Sequence, residues 1–194
     1  MSEPVRTALF GGTFNPLHNG HLAIARSVLE QGLADEVWIL ITPCNPWKKN
    51  QELLDDRLRY DMVSDAVRDI DGIYASDYEF QLPKPSYTAE TLRHISVDFP
   101  DREFILTVGA DNWVKFHNWR EADFIKENYP IIVYPRQGYP IKNVHGNVTL
   151  LDCPLMNISS TQIRQMVRDG APINELVPAS VARTIQELNL YTNN

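Results

Sequence analysis

Apolar residues recur along this chain in two alternating rhythms. Val5 to Phe10 reads as a short strand stopped by Gly11-Gly12, and Leu22, Ile24, Ala25, Val28 and Leu29 then form a helical stripe ending at Gly32. Glu36 to Thr42 is a near-continuous β-branched and aromatic run, the composition of a parallel strand covered on both faces, and Pro43, Asn45 and Pro46 end it. Leu58, Met62, Val63, Ala66, Val67 and Ile70 repeat with helical period between Asp55 and Ile70, and a strand is predicted at Ile73 to Ser76. After the Pro83-Lys84-Pro85 loop the pattern predicts a helix from about Thr88 to Val97 and a strand from Glu103 to Val108 that stops at Gly109. A loop and helix around Asp111 to Asn128 precede the strand Ile131 to Tyr134. The stretch Pro135 to Asn147, rich in Gly, Pro and Asn, reads as a surface loop before a last strand at Val148 to Asp152. Helices at Ser159 to Asp169 and Ala179 to Leu190 finish the chain. Strands alternating with helices imply an α/β fold with a doubly wound, mainly parallel sheet, and no repeat or linker divides residues 1 to 194, so one domain is expected.

Ligands of such sheets sit outside the carboxyl ends of the strands, so the loops there are where chemistry is sought. Gly11 to Leu22 joins the first strand to the first helix. Its two glycines allow close backbone approach, and the helix start offers free N–H groups and partial positive charge to a phosphate. His18 and His21 are three positions apart at that helix start, so both rings can face one point. An imidazole there can donate a hydrogen bond to a phosphate or, if protonated, offset developing negative charge. The loop fits neither the GxxxxGK[ST] phosphate loop nor the GxGxxG dinucleotide fingerprint. Near the other end, Ile158-Ser159-Ser160-Thr161-Gln162-Ile163-Arg164 sets three hydroxyls at a helix start with a guanidinium one turn in, a set suited to a polyphosphate. The same residues also satisfy an S-x-x-Q capping box from Ser159 to Gln162, which needs no ligand.

Composition narrows the partners. Of 194 residues, 43% are hydrophobic and 22% charged, ordinary globular values, and 18 basic against 25 acidic residues leave a formal charge of −7. No general attraction to nucleic acid or to an anionic membrane follows, so an anionic ligand needs a local site. The longest clean apolar run, Val37 to Ile41, is far short of a membrane span, and the first ten residues lack a secretory signal pattern, so a cytoplasmic protein is expected. Cys44 and Cys153, without CxxC spacing, are expected to be reduced, and no Cys, Asp or Glu follows the histidines at metalloprotease spacing. His94, His117 and His145 fall on a helix face or in loops, with no chemistry assigned.

His18-Asn19-Gly20-His21 together with Ile158 to Arg164 resembles the HxGH nucleotidyltransferases, whose second signature is ISSTxIR, and the likeness narrows to the bacterial nicotinate-nucleotide adenylyltransferases. Ser86-Tyr87-Thr88 with Thr91-Leu92, Gly109-Ala110-Asp111 with Trp119, Pro135-Arg136, and Val177-Pro178 leading to Leu190-Tyr191 extend the likeness end to end. Two positions depart: Asn15 stands where that family commonly has Asp, and Pro46-Trp47-Lys48-Lys49 replaces its PPHK. Asparagine keeps the side-chain-to-backbone turn while losing a charge.

The resemblance implies a Rossmann-like nucleotidyltransferase fold whose C-terminal helices, about 159–190, complete an ATP site. It implies adenylyl transfer from ATP to nicotinate mononucleotide with release of pyrophosphate, Mg²⁺ being bound through the phosphates and not by protein ligands. His18, His21, Lys49 and Arg164 would be catalytic; Gly11, Gly12, Thr13, Phe14, Gly109, Asp111, Ser160 and Thr161 would join His18, His21 and Arg164 at ATP. Thr88, Trp119, Lys48, Lys49 and Arg136 would hold the mononucleotide, with either lysine able to reach the phosphates. An acceptor preference for nicotinamide mononucleotide or phosphopantetheine, a catalytically silent nucleotide binder, and a monomer or homo-oligomer all stay open.

Overall fold

A computed structural model of the chain describes residues 3–43, 53–141 and 144–192. Six strands, β1 (Val5–Gly12), β2 (Glu36–Ile41), β3 (Ile73–Ser76), β4 (Arg102–Gly109), β5 (Ile131–Tyr134) and β6 (Val148–Leu150), form one sheet in the order β3-β2-β1-β4-β5-β6. Every pairing is parallel, as the near-continuous apolar strands require. Between them lie α1 (Asn19–Glu30), α2 (Asp56–Val67), α3 (Thr88–Asp98), α4 (Ala110–Trp113) and α5 (Ala122–Asn128), and α6 (Ser160–Arg168) and α7 (Ala179–Glu187) close the chain.

The helices divide into two layers because strand side chains alternate. Ala8 and Phe10 of β1 point into a core shared with Ala25 and Val28 of α1, Met62 and Val63 of α2, Ile163 of α6, and Val181 and Ile185 of α7. Leu9 points into the other core, with Leu92 and Ile95 of α3, Ala110 of α4 and Ile125 of α5. The chain winds outward from β1 to β3, then returns to start β4 on the opposite side of β1. That reversal opens a crevice above the carboxyl ends of β1 and β4, where helices on either side part.

The segment expected as a loop and a helix around Asp111 to Asn128 is three short helical pieces: α4, a 3₁₀ turn at Phe116–Asn118, and α5. Phe116 is pulled into the core between Trp113 and Trp119, with ring centroids 5.1 and 5.2 Å away, and Glu121 turns left-handed at φ +56° before α5. Aromatic packing thus overrides a helical pattern that has no Gly or Pro to mark the breaks. A 3₁₀ turn at Tyr78–Gln81 was also not predicted, and β6 and α7 end earlier than their patterns suggested.

One buried charge holds the crevice edge together. Arg59 of α2 is fully buried, and its guanidinium donates to the carbonyls of Thr13 at 2.6 Å, Thr42 at 3.2 Å and Leu54 at 3.1 Å and to Asp56 Oδ1 at 2.5 Å. It therefore ties the β1–α1 loop to the end of β2 and to both ends of the intervening segment 43–53. Replacing it with an apolar side chain strands three carbonyls and a carboxylate, so Arg59→Leu is expected to lose about 3–5 kcal/mol of stability in urea unfolding.

Candidate active site

The β1–α1 loop carries the first histidine motif, and its geometry follows from local constraints. Phe14 sits at φ +43°, and its ring lies where a side chain on Gly12 would be, 3.0 Å from that position. Asn15 is buried, its side-chain oxygen accepting from the Leu54 amide at 3.3 Å and the Tyr191 hydroxyl at 2.9 Å. An aspartate would accept the same two bonds, which accounts for the interchange at this position. His18 is the residue before α1, extended at φ −139°, and its N–H donates to His21 Nδ1 at 3.2 Å. That bond makes Nδ1 of His21 an acceptor, so the neutral ring carries its proton on Nε2.

The two imidazoles stack with centroids 3.5 Å apart and planes at 20°. Edge contacts from Phe14 and Phe10, at 5.0 and 6.0 Å, brace His21 from the core side. Phe14, expected at ATP, is thus a buried support for the histidines. A Cβ on Gly20 would approach the His18 ring at 3.0 Å, so a side chain there would push the ring out of its stack.

Two cavities flank this loop. The first, of about 340 Å³, is bounded by Gly11, Gly12 and Thr13 at one side and by Thr88 and Trp119 at another, with Gly109 at the end of β4. The second, of about 310 Å³, is bounded by His18 and Gly20, by Asp111 and Arg136, and by the segment Cys153 to Ser159. The structure thus brings Thr88 and Trp119 together, as expected, but sets Arg136 with Asp111 in the other cavity. Gly109 is where these groups crowd, since a Cβ would clash with Asp111 Oδ1 and come within 3.0 Å of the Tyr134 ring.

Three polar atoms bordering the second cavity, His18 Nδ1, Asp111 Oδ1 and Arg136 Nε, are buried with no hydrogen-bond partner among the described residues. Arg136 Nε is 3.7 Å from Asp111 Oδ1, an ion pair without a formed hydrogen bond. A donor, an acceptor and an imidazole held unsatisfied around one cavity are what a polar ligand would complete. Burial, reinforced by the Arg136 guanidinium, pushes the His18 pKa down to about 4, so the unliganded ring is neutral near pH 7.

The second motif is placed against the first. Ser159 caps α6 by accepting from the Gln162 amide at 3.1 Å, the ligand-independent part of its expected role. Ser160 Oγ donates to the Pro16 carbonyl at 2.9 Å, and Arg164 donates to the Asn15 carbonyl at 2.8 Å and to Thr161 Oγ1 at 3.3 Å. Residues about 140 positions apart in sequence therefore share one loop. Lys48 and Lys49 lie outside the described residues. Sequence reasoning assigned no site role to Glu79, Thr107, Arg120 or the segment Cys153 to Asn157, which border the cavities. Glu79 lies in an alternating polar and aromatic stretch and Thr107 in an apolar strand, neither marked as a site in sequence, and only the sheet's convergence reveals them.

A parallel sheet with this strand order, a glycine-rich β1–α1 loop and two cavities over its switch point define a doubly wound nucleotide-binding fold. Residues 9–166 match the family model described as Cytidylyltransferase-like. A Flavobacterium johnsoniae protein named "Probable nicotinate-nucleotide adenylyltransferase" is 42% identical over 191 residues, covering 96% of this chain and 99% of its own. One of the same name from Cytophaga hutchinsonii is 42% identical over 191 residues, covering 97% and 100%. The chain belongs to the cytidylyltransferase-like family and, within it, to the nicotinate-nucleotide adenylyltransferases. In fold it is similar to Plasmodium falciparum nicotinic acid mononucleotide adenylyltransferase complexed with NaAD, at TM-score 0.82 and 19% identity over 96% of this chain and 97% of that one.

The depressed His18 pKa makes stability depend on acid. The unfolded ring takes up a proton near pH 6.5 and the folded ring only near 4, so folded-state stability falls as pH drops through that window and levels off below it. The full effect is about 3 kcal/mol, and urea unfolding across this range should show His18→Gln with a shallower slope than the parent.

Proposed function

We propose that the protein transfers the adenylyl group of ATP to the 5′-phosphate of nicotinate mononucleotide, forming nicotinate adenine dinucleotide and pyrophosphate. The observation that carries this reading is the β1–α1 loop serving as a wall of both cavities, with Gly11 to Thr13 on one and His18 on the other. Two nucleotides occupying them would bring their phosphates together at the loop.

The attacking 5′-phosphate is already an anion at neutral pH, so no side chain need remove a proton and no covalent intermediate is required. Catalysis is then positioning for in-line attack at the α-phosphorus and stabilisation of charge on the departing pyrophosphate. Gly11, Gly12 and Thr13 let backbone approach the phosphates. His21 donates from Nε2–H to phosphate oxygen, and His18, stacked on it, lies on the ATP side. Because His18 is neutral in the unliganded protein, these rings act first as aimed hydrogen-bond donors, and bound phosphate would favour the proton on His18. The N-terminal amides of α6 at Ser160 and Thr161, and the Arg164 charge, face the departing group in this assignment. Lys49, with Lys48 beside it, supplies further positive charge.

Asp111 suits the ATP ribose hydroxyls, and its neighbour Arg136 is assigned to the ATP side with it. In the first cavity Trp119 offers a stacking face for the nicotinate ring, while Thr88 and the N-terminus of α3 suit its carboxylate. Magnesium enters as MgATP. It would be bound through phosphate oxygens and water. Bound there, it offsets phosphate charge. The ligands are thus small molecules, and among the described residues no helix is long and apolar enough to cross a membrane.

Pyrophosphate release with MgATP should be strong with nicotinate mononucleotide and much weaker with nicotinamide mononucleotide or phosphopantetheine. A preference for either of the others, or no turnover with any of them, overturns the assignment. His21→Ala is expected to lower kcat by about 10²–10³ while leaving mononucleotide affinity within about threefold, since its bond strengthens as charge develops. Equal losses in both would remove that role.

A further inference from the structure

Glu79 takes no part in the reaction above, yet it borders the first cavity, which the proposed function fills with an anion. It lies in the 3₁₀ turn after β3 and is only 6% exposed. Burial pushes its pKa up, and three hydroxyl partners work against that shift. Thr91 of α3 donates to Oε1 at 2.8 Å, Ser86 of the preceding loop donates to Oε2 at 3.4 Å, and Thr42 at the end of β2 hydrogen-bonds to the same carboxyl group. All three partners border the cavity.

A hydroxyl has one proton. Donated to Glu79, it leaves only lone pairs for the cavity, so three side chains from three elements become acceptors there. A fourth hydroxyl, Thr107 Oγ1 of β4, borders the same cavity, is buried and has no hydrogen-bond partner. Such a wall needs a ligand face that donates. On nicotinate mononucleotide the carboxylate and the ionised phosphate present acceptor oxygens, and the ribose 2′ and 3′ hydroxyls are the O–H donors. Both anionic groups, the carboxylate and the phosphate, are disfavoured against Glu79.

We propose that Glu79 is a positioning residue that turns Thr42, Ser86 and Thr91 into an acceptor wall for the mononucleotide ribose hydroxyls, with Thr107 completing it. This rests on the first cavity being the mononucleotide site, and it orients the substrate: ribose toward Glu79, ring and carboxylate toward Trp119 and Thr88. Glu79→Gln keeps the size but puts a donor amide where an acceptor stood, so at least one hydroxyl reverses.

The test compares nicotinate mononucleotide with its 2′,3′-dideoxy analogue in the parent, Glu79→Gln and Thr91→Val, all with saturating MgATP. The parent should show KM about tenfold higher for the dideoxy analogue, the scale of one or two hydrogen bonds. Glu79→Gln should raise KM for the ribonucleotide about tenfold, leave kcat and the KM for ATP within about twofold, and no longer distinguish the two acceptors. Thr91→Val should shift the same way by less, and Thr91→Ser should restore discrimination. If the variants keep the parent's ribose discrimination, or lose kcat and both KM values together, Glu79 is only structural and the proposal falls. If Glu79→Gln does not fold, the Thr91 pair decides by the same criteria. A parent with no turnover on nicotinate mononucleotide removes the proposed function and this inference with it, whereas an active parent that does not distinguish the two acceptors, or variants that keep its discrimination, remove this inference alone.

Discussion

The β1–α1 loop leaves the centre of the sheet with its backbone turned inward, and a buried carbonyl must find a donor. Thr13, Asn15 and Pro16 find theirs in Arg59, Arg164 and Ser160, at 2.6, 2.8 and 2.9 Å. Those donors come from α2 and α6, so the loop's shape is set by two helices far from it in sequence. The N-terminus of α1 is held in the same way, Asn19 bonding through its amide to the Leu176 carbonyl at 2.8 Å and through its side chain to that of Glu175 at 2.9 Å. The histidine stack stands on this fastened backbone. Without it, neither the His18–His21 bond nor the division into two cavities would hold its geometry.

The same fastening explains how an acidic protein can present a site for anions. The formal charge of −7 is spread over the exterior, while the guanidinium groups of Arg59 and Arg164 are drawn in under the loop by its carbonyls. Arg136 sits at the second cavity beside Asp111. The desolvation of Arg59 and Arg164 is offset by hydrogen bonds to backbone, so positive potential is concentrated at the loop and not spread over the surface. The histidines differ in kind: a ring with its pKa depressed to about 4 contributes direction and a proton donor before it contributes charge.

Much of the architecture was legible because parallel strands buried on both faces have few sequence solutions. Ala8 to Phe10, Val37 to Ile41 and Ile131 to Tyr134 are apolar throughout, and the helices between them carry clear stripes. The two motifs were legible for a local reason as well, since a glycine pair, a histidine pair and a hydroxyl run at helix starts each have a chemistry that spacing alone suggests. Ser160 and Arg164 show the limit of that reasoning. Their types suit phosphate, yet in this structure both donate to the backbone of the loop that would hold it.

By itself, then, the sequence determined the alternation of elements, the mainly parallel sense of the sheet, and which loops lie at the strand ends, because these follow from patterns within a few turns of chain. Only the tertiary structure decided that Arg136 belongs with Asp111, that Phe14 braces His21, that residues 111–128 break into three pieces, and that Glu79 gathers hydroxyls from three elements. Each of these is a matter of which distant side chains converge on one buried point. Such convergence is set by packing and by the need to satisfy buried polar atoms, and neither leaves a period in the chain.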